Sequence, residues 1–309
     1  MADDVLVIGE SLIDVVRAAD GTTTEHVGGS AANVAVALAR LGCPVRFATS
    51  FADDPHGRMV AEHLEHAGVR LTNDPHSIAR TSTAIATVGS DGAASYEFDL
   101  DWVLDPPPVE AMPAAVHVCS LGAVLMPGAD VVHAAASRLH GTALVSYDIN
   151  ARPVVTGTGP DLIERIERLA SVSDLVKASD EDLAALYPGL ALPDAARGLL
   201  DRGPAAVVVT RGEQGAVWFS RSGSVEVPST PVQVADTIEE WFTQGAADGF
   251  NVMPPYYPGG LEVFAEKVVP ILQERGLFRT EYSGTTLRDH FGLPRPESQY
   301  ADVSGAVAL

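Results

Sequence analysis

The sequence is poor in positive charge. Its 20 Lys and Arg stand against 41 Asp and Glu, a formal net charge of −21. That balance argues against a nucleic-acid binder, which needs a basic stripe to displace counterions from phosphates. It argues equally against docking on an anionic membrane surface. A small anion in a local pocket remains compatible with it. Long apolar runs are missing too: none reaches the roughly 18 residues that a membrane span requires. The opening residues, Met1-Ala2-Asp3-Asp4, carry no basic segment ahead of the first apolar run. A secretory signal is therefore not expected, and a cytoplasmic location is. Cysteine is nearly absent. Cys43 and Cys119 show neither a CxxC nor a metal-ligand spacing and read as two buried thiols. There is no GxxxxGK phosphate loop. What is abundant is apolar material, 46 % of 309 residues, enough for one large α/β domain or two smaller ones.

That material alternates. Residues 4–9 form a short continuous apolar run ending at a glycine, the pattern of a buried parallel strand. A small-residue amphipathic helix follows over 31–42, then a strand at 45–49 and a helix at 57–66. Strand-like runs at 116–119, 143–147, 174–177 and 205–210 alternate with helical stretches near 128–139, 160–172, 180–187 and 193–201. Such alternation predicts βα units on a parallel sheet with helices on both faces. Residues 82–99 break it and read as a β-hairpin turning at Asp91-Gly92.

The first candidate site is Gly28-Gly29-Ser30-Ala31-Ala32-Asn33, which opens the first helix. Paired glycines let the backbone turn sharply and approach a ligand. Its neighbours extend the pattern: Gly9-Glu10 and Asp14, Asp53-Asp54-Pro55-His56-Gly57-Arg58, Asp148-Ile149-Asn150-Ala151-Arg152-Pro153, Lys177-Ala178-Ser179-Asp180-Glu181-Asp182, and Val208-Val209-Thr210-Arg211-Gly212-Glu213-Gln214-Gly215. In this order and spacing, over about residues 4–237, the set resembles the ribokinase-like (PfkB) sugar kinases, the fructokinase branch most closely. Ala52 departs from the glycine usual in the family, and Ser179 and Asp182 stand where many members have Asn and Glu.

The resemblance implies a three-layer α/β/α sandwich with a small β lid, and ATP with Mg²⁺ as cofactor. Asp14 and Asn33 would hydrogen-bond sugar hydroxyls, and Gly28 and Gly29 would form the hinge beneath them. The 82–99 hairpin would be the lid, and a possible contact between two copies. Asn150 and Arg152 would lie near the transferred phosphate, Lys177, Ser179 and Asp182 on the nucleotide and metal-water side, and Thr210, Gly212 and Gly215 along the nucleotide. No protein metal site is expected.

One part of the family pattern is missing. The anion hole and the catalytic base come from a Gly-Ala-Gly-Asp string just after an Asp-Thr pair. This chain reaches Ala235-Asp236-Thr237 and continues Ile238-Glu239-Glu240-Trp241-Phe242. A similar string, Gly245-Ala246-Ala247-Asp248, follows six residues late. Gly249 and the prolines 254, 255 and 258 come after it, so Asp248 is not expected to open a helix, and no catalytic residue is assigned.

The C-terminal part has its own character. Thr230-Pro231-Val232-Gln233 is a helix-start signature, with Val234, Ile238, Trp241 and Phe242 on one face. A strand over 249–253 and a helix from Gly260 to Arg275-Gly276 are expected next. From about 230 to 296, through Arg279-Thr280-Glu281-Tyr282 and Gly292-Leu293-Pro294-Arg295-Pro296, the chain resembles the end of a luciferase-like flavin monooxygenase of the nitrilotriacetate and dibenzothiophene-sulfone type. There it would form the last helix–strand–helix of a TIM-type barrel. The chain therefore reads as a chimera: a sugar kinase domain over 1–233 lacking its catalytic end, a monooxygenase fragment over 234–296, and a tail over 297–309. The expected activity is impaired phosphorylation of fructose or a related keto-sugar. A flavin-dependent monooxygenase and a non-catalytic sugar or nucleotide binder are the alternatives, and FMN is not expected to bind. His63 and His66 read as a solvated helix face, and Trp102, Trp218 and Trp241 as core or lid packing.

Overall fold

The apolar run at the start becomes β1, Val5–Ile8, buried on both sides of the sheet it enters. In the computed structural model, which describes residues 4–18, 20–88, 94–108, 112–227, 230–245, 250, 252, 260–282 and 284–286, two units are distinguished, Met1–Pro228 and Ser229–Leu309.

In the first unit β1 leads into β2, Leu12–Arg17, and β3, Thr23–Gly28. Helix α1, Ser30–Arg40, β4, Val45–Ala48, α2, Pro55–His66, and the short β5, Arg70–Leu71, follow. The pair β6, Thr83–Val88, and β7, Ala94–Asp99, is succeeded by β8, Ala115–Cys119, α3, Ser120–Val124, α4, Gly128–Leu139, and β9, Leu144–Asp148. Next come α5, Pro153–Thr156, α6, Pro160–Ala170, β10, Leu175–Ser179, α7, Asp180–Leu186, α8, Leu192–Leu200, and β11, Ala206–Thr210. The antiparallel strands β12, Ala216–Ser220, and β13, Gly223–Val227, finish the unit.

The main sheet runs β13-β12-β11-β10-β9-β8-β1-β4-β5 among the described residues. The strands from β11 to β5 are parallel. Alternation within each strand feeds two cores. Leu6, Ile8, Val116, Val145, Tyr147 and Val207 pack on one side with α4, α6 and α8. Val7, Val45 and Phe47 pack on the other with Ala31, Ala35 and Val36 of α1 and Val60 and Leu64 of α2. Helices therefore cover both faces, as the alternation predicts. Asp54 caps α2 by accepting from the Gly57 N–H at 2.7 Å and also binds the Thr81 hydroxyl at 2.7 Å, which gives the Asp53–Arg58 motif a structural role.

The 82–99 hairpin is present as the antiparallel pair β6–β7, and its Asp91-Gly92 turn lies outside the described residues. It does not stand alone. It joins β2 and β3 in a four-stranded sheet ordered β3-β2-β6-β7, in which β2 and β6 run parallel. Neither β2 nor β3 is expected from the sequence; the first four residues of β3 are exposed and polar, so no apolar alternation marks it.

β12 and β13 were also unmarked. Every residue of β13 is exposed, and Trp218, Val225 and Val227 are exposed apolar side chains on neighbouring strands, with Trp218 paired to Val225. Trp102 is core, 4 % exposed, with its indole N–H on the Gly122 carbonyl at 3.0 Å. Trp218 is 44 % and Trp241 51 % exposed, so the expected packing fails for both. Cys119 is buried and Cys43 only half-buried. Exposed apolar strand surface favours association. Light scattering of the purified protein is expected to show self-association together with hydrophobic-dye binding; a clean monomer that leaves the dye dark would contradict this.

The second unit contains α9, Pro231–Thr243, α10, Gly260–Val263, a π-helical stretch, Phe264–Val268, and α11, Val269–Glu274. Thr230 and Gln233 form the expected capping box. Of the expected face, Ile238 packs, partly buried, against this unit's cluster, and the rest differs. Ala235, not Val234 or Trp241, is buried, against Val268 and Leu272, and Trp241 instead tilts against Phe250. The π-helical stretch ends just ahead of Pro270, which has no N–H to continue the ordinary register. Arg275 ties the helices by donating to Asp236 at 2.7 Å and Glu239 at 2.8 Å. Of the expected strand over 249–253, Phe250 and Val252 are described and are not in a strand. The other residues of that strand, Asp248 and the 297–309 tail lie outside the described residues. No described helix is long and apolar enough to cross a membrane.

Candidate active site

The parallel strands end where their loops can meet, the usual place for a ligand on an open α/β sheet. A cleft of about 600 Å³ opens there, at the C-terminal ends of β1 and β8. Asp14, Val16, Ala84, Ala86, Tyr96 and Phe98 form its wall from the four-stranded sheet. Gly29, Ser30 and Asn33 come from the start of α1, and Glu10, Ser120, Leu121 and Arg152 from the body. Asp14, Gly29, Asn33 and Arg152 of the expected set are thus gathered in one cavity.

Two glycines allow this. A Cβ on Gly28 would sit 2.1 Å from the Asp14 carboxylate, so Gly28 leaves the room that Asp14 occupies. Gly29 has φ +100 and ψ 130, and a Cβ there would lie 2.7 Å from the Glu10 carbonyl oxygen. The Gly28-Gly29 turn therefore needs glycine for conformation at one position and for space at both. Asp14 faces the cleft, and partial burial by its walls pushes its carboxyl above the usual range while His26 pulls it back.

Asn150 and Arg152 follow β9 on a strained loop. Asn150 has φ +39 and Ser120 beside it φ +51, both rare for non-glycine residues. Asn150 donates through Nδ2 to the Ser30 hydroxyl at 3.0 Å and accepts from the Arg152 guanidinium at 2.8 Å. The Ser120 hydroxyl donates to the Asn150 carbonyl at 3.3 Å. Strain at two adjacent positions marks a loop held by its partners.

Lys177, Ser179, Asp182, Thr210, Gly212 and Gly215 lie on β10, α7, the end of β11 and the turn after it, and do not line this cleft. Lys177 pairs with Asp148 at 3.2 Å. Burial raises the Asp148 carboxyl above its ordinary range, with Lys177 opposing. Ser179 and Asp182 form a capping box that starts α7. Asp182 accepts from Ala151 N–H at 2.9 Å and Ser179 N–H at 2.8 Å, so both its oxygens hold backbone. Thr210 lies opposite Ser179 in the register, and Gly212 and Gly215, with φ +51 and +84, shape the turn after it.

Glu10 has no role in the sequence reading, although its dipeptide is part of the motif set. Its carboxylate is buried, accepting from Gly122 N–H at 2.6 Å and Ser30 N–H at 3.1 Å. Burial raises its pKa from 4.5 to about 7 against these backbone bonds and the Arg152 charge. The folded state thus binds the proton more tightly than the unfolded chain. Its stabilising contribution is complete below about pH 4.5 and lost as pH rises through about 7, a change of roughly 3 kcal/mol. Denaturant unfolding across that range is expected to show the loss, and Glu10→Gln to abolish this component. An unchanged pH dependence in the variant would contradict the assignment. Tyr96 and Phe98, stacked with centroids 6.4 Å apart, were visible only as lid residues.

Comparison with known proteins places most of this chain in a known family. The pfkB family carbohydrate kinase model matches residues 2–248. The chain is 33 % identical over 262 residues to a fructokinase of Rhizobium leguminosarum bv. trifolii, covering 80 % of this chain and 77 % of that protein. A crystal structure of the fructokinase from Vibrio cholerae O395 in fructose-, ADP- and calcium-bound form superposes with a TM-score of 0.60 at 26 % identity, over 73 % of this chain and 76 % of that one. The chain belongs to the pfkB family of carbohydrate kinases. It also carries a second likeness: 62 % identity over 72 residues to the N-acetyl-S-(2-succino)cysteine monooxygenase of Bacillus subtilis (strain 168). That stretch is 23 % of this chain and 16 % of the monooxygenase, so the chain spans under a fifth of that relative. The combination supports the chimeric reading.

Proposed function

We propose that this chain is a fructokinase-type domain that binds a small sugar and a nucleotide and transfers phosphate poorly or not at all. The observation that carries the reading is the position of Asp236 and Thr237 inside α9. Interior helix amides are spent on carbonyls four residues back. They cannot converge on a phosphate as those of a helix N-terminus do. The side chains there are committed as well, Thr237 to the Gln233 carbonyl and Asp236 to Arg275.

In this reading Asp14 and Asn33 orient sugar hydroxyls over the Gly28-Gly29 hinge, and the four-stranded sheet excludes water. Arg152 and Asn150 face the phosphate end. The open turn at Gly212 and Gly215, with Thr210 beside it, fits the nucleotide, while Lys177, Ser179 and Asp182 border its phosphate and metal-water side. ATP with Mg²⁺ would supply the phosphoryl group. The residues fit the nucleotide's body better than its terminal phosphate, for which neither an anion hole nor a base is assigned. The kinase-like part spans 1–233 and the monooxygenase-like part 234–296, with a tail to 309. Two copies could meet through the sheet that carries the 82–99 hairpin, whose edge strand β3 is exposed.

A flavin monooxygenase is the second reading, favoured by the 62 % identical stretch. Flavin binding separates the two. Purified protein is expected to be colourless and to leave FMN fluorescence unchanged on titration. A yellow stoichiometric complex would reverse the ranking.

A further inference from the structure

We propose that Glu10 is the positioning residue of the cleft: its buried carboxylate ties the start of α1 to α3 and, through Ser30, sets Asn150 and Arg152. One carboxylate oxygen accepts from Ser30 N–H and the other from Gly122 N–H, residues 20 and 112 positions away in sequence. Ser30 carries the link onward, because its hydroxyl accepts from Asn150 Nδ2 at 3.0 Å. Asn150 in turn accepts from Arg152 at 2.8 Å. The next residue inward, Ala151, donates to Asp182, whose capping box fixes Ser179. A continuous chain therefore runs from the end of β1 to the end of β10, and Glu10 is its buried origin.

The glycines packed around Glu10 leave no room for side chains of their own. A Cβ on Gly122 would lie 2.7 Å from the Glu10 Oε2 and from the Gly9 Cα, and one on Gly9 would lie 2.5 Å from the Ala31 Cβ. Close approach without side chains lets one carboxylate reach two elements. The charged and titratable groups that act on it are Arg152, from the loop after β9, and Cys119 of β8. Glu10 also borders the cavity shared by Asp14, Asn33 and Arg152. Its role is to hold those groups in register; it is not assigned contact with reacting atoms. An ionised carboxylate is the stronger acceptor for backbone N–H, so deprotonation strengthens these two bonds while the desolvated charge costs the fold as a whole.

The proposal rests on reading this cleft as the sugar site, and its test separates the two. Amide resonances of Ser30 and Gly122 are followed by NMR from pH 5.5 to 8.5, in the full-length protein and in Glu10→Gln. Fructose affinity is measured by calorimetry on the same samples. Both amides are expected to titrate with one common midpoint in the wild type and to stay flat in the variant. Fructose affinity is expected to fall about tenfold in Glu10→Gln, the difference between a charged and a neutral acceptor. Glu10→Asp, which keeps the charge, is expected to restore part of it. Amides that fail to titrate together, or that titrate equally in Glu10→Gln, overturn the proposal; so does unchanged fructose affinity in the variant. Common titration without any fructose binding upholds the clamp and removes the sugar reading. If Glu10→Gln does not fold, the wild-type titration and Glu10→Asp decide it.

Discussion

Given ATP, Mg²⁺ and fructose, the purified protein is expected to turn over at least about a hundredfold below the usual kinase range of about 1–100 s⁻¹. Loss of a general base costs roughly 10²–10⁴ in rate. Loss of an anion-hole donor costs roughly 10²–10³ more, although the two do not simply multiply. The expectation stems from α9. Its capping box at Thr230 and Gln233 starts the helix six residues before Asp236, so the backbone at the Asp-Thr pair is already closed into helical hydrogen bonds. The family match runs to residue 248 and takes in the late Gly245-Ala246-Ala247-Asp248 string. Steady-state turnover in the normal range would contradict the account. Asp248→Asn would then be the decisive variant, since a collapse of that rate would assign the base to Asp248.

Gly29→Ala carries the largest expected stability effect. The backbone at φ +100 and ψ 130 costs an L-residue about 1–3 kcal/mol. The new Cβ would also press on the Glu10 carbonyl at 2.7 Å and the Ser11 Cα at 3.1 Å, for about 1–3 kcal/mol more. Neither contact can yield easily, because both are backbone of the segment between β1 and β2. Gly21→Ala is the internal comparison. That glycine also has positive φ, +85, but nothing lies within 4 Å of its Cβ position, so only the conformational cost applies, about 1 kcal/mol. Urea unfolding of the two variants measures the difference. Equal losses at both positions would show that the clash at Gly29 is relieved and that the hinge is not close-packed.

The alternation of apolar runs and helical stretches was enough to place the body of the sheet, because strands buried on both faces have continuous apolar sequence. Val5–Ile8 and Ala206–Thr210 are of that kind, and helix boundaries such as 128–139 were legible from the same periodicity. Strands that face solvent left no such mark. β3 begins Thr-Thr-Glu-His, and β13 is exposed throughout. The four-stranded sheet was therefore seen only as its hairpin half. In the second unit the polar-apolar pattern of α9 put Val234, Ile238, Trp241 and Phe242 on one face; Ile238 does pack, but the fully buried contact is made by the small Ala235. Small residues at a helix contact carry little hydrophobic signal of their own.

The cleft was legible in part for a related reason. Asp14, Gly29, Asn33 and Arg152 belong to motifs with recognisable spacing, and they line one cavity. Glu10 and Ser120 act through backbone partners, and Ser30 through the Asn150 side chain, all brought together by the fold. Glu10 to Gly122 spans 112 residues, and no local pattern encodes such a pairing. The positive φ at Ser120 has no mark in the sequence, whereas Asn150 is of a residue type that visits that region more readily than most.

The central claim is that ligand recognition has been kept while the transfer machinery has been replaced. Calorimetric titration of the wild type and Asp14→Ala with fructose and a non-hydrolysable ATP analogue tests it most directly. The account predicts saturable binding of both ligands to the wild type, with Asp14→Ala losing fructose and keeping the nucleotide. Absence of binding by either ligand, or fructose binding that survives Asp14→Ala unchanged, would contradict it.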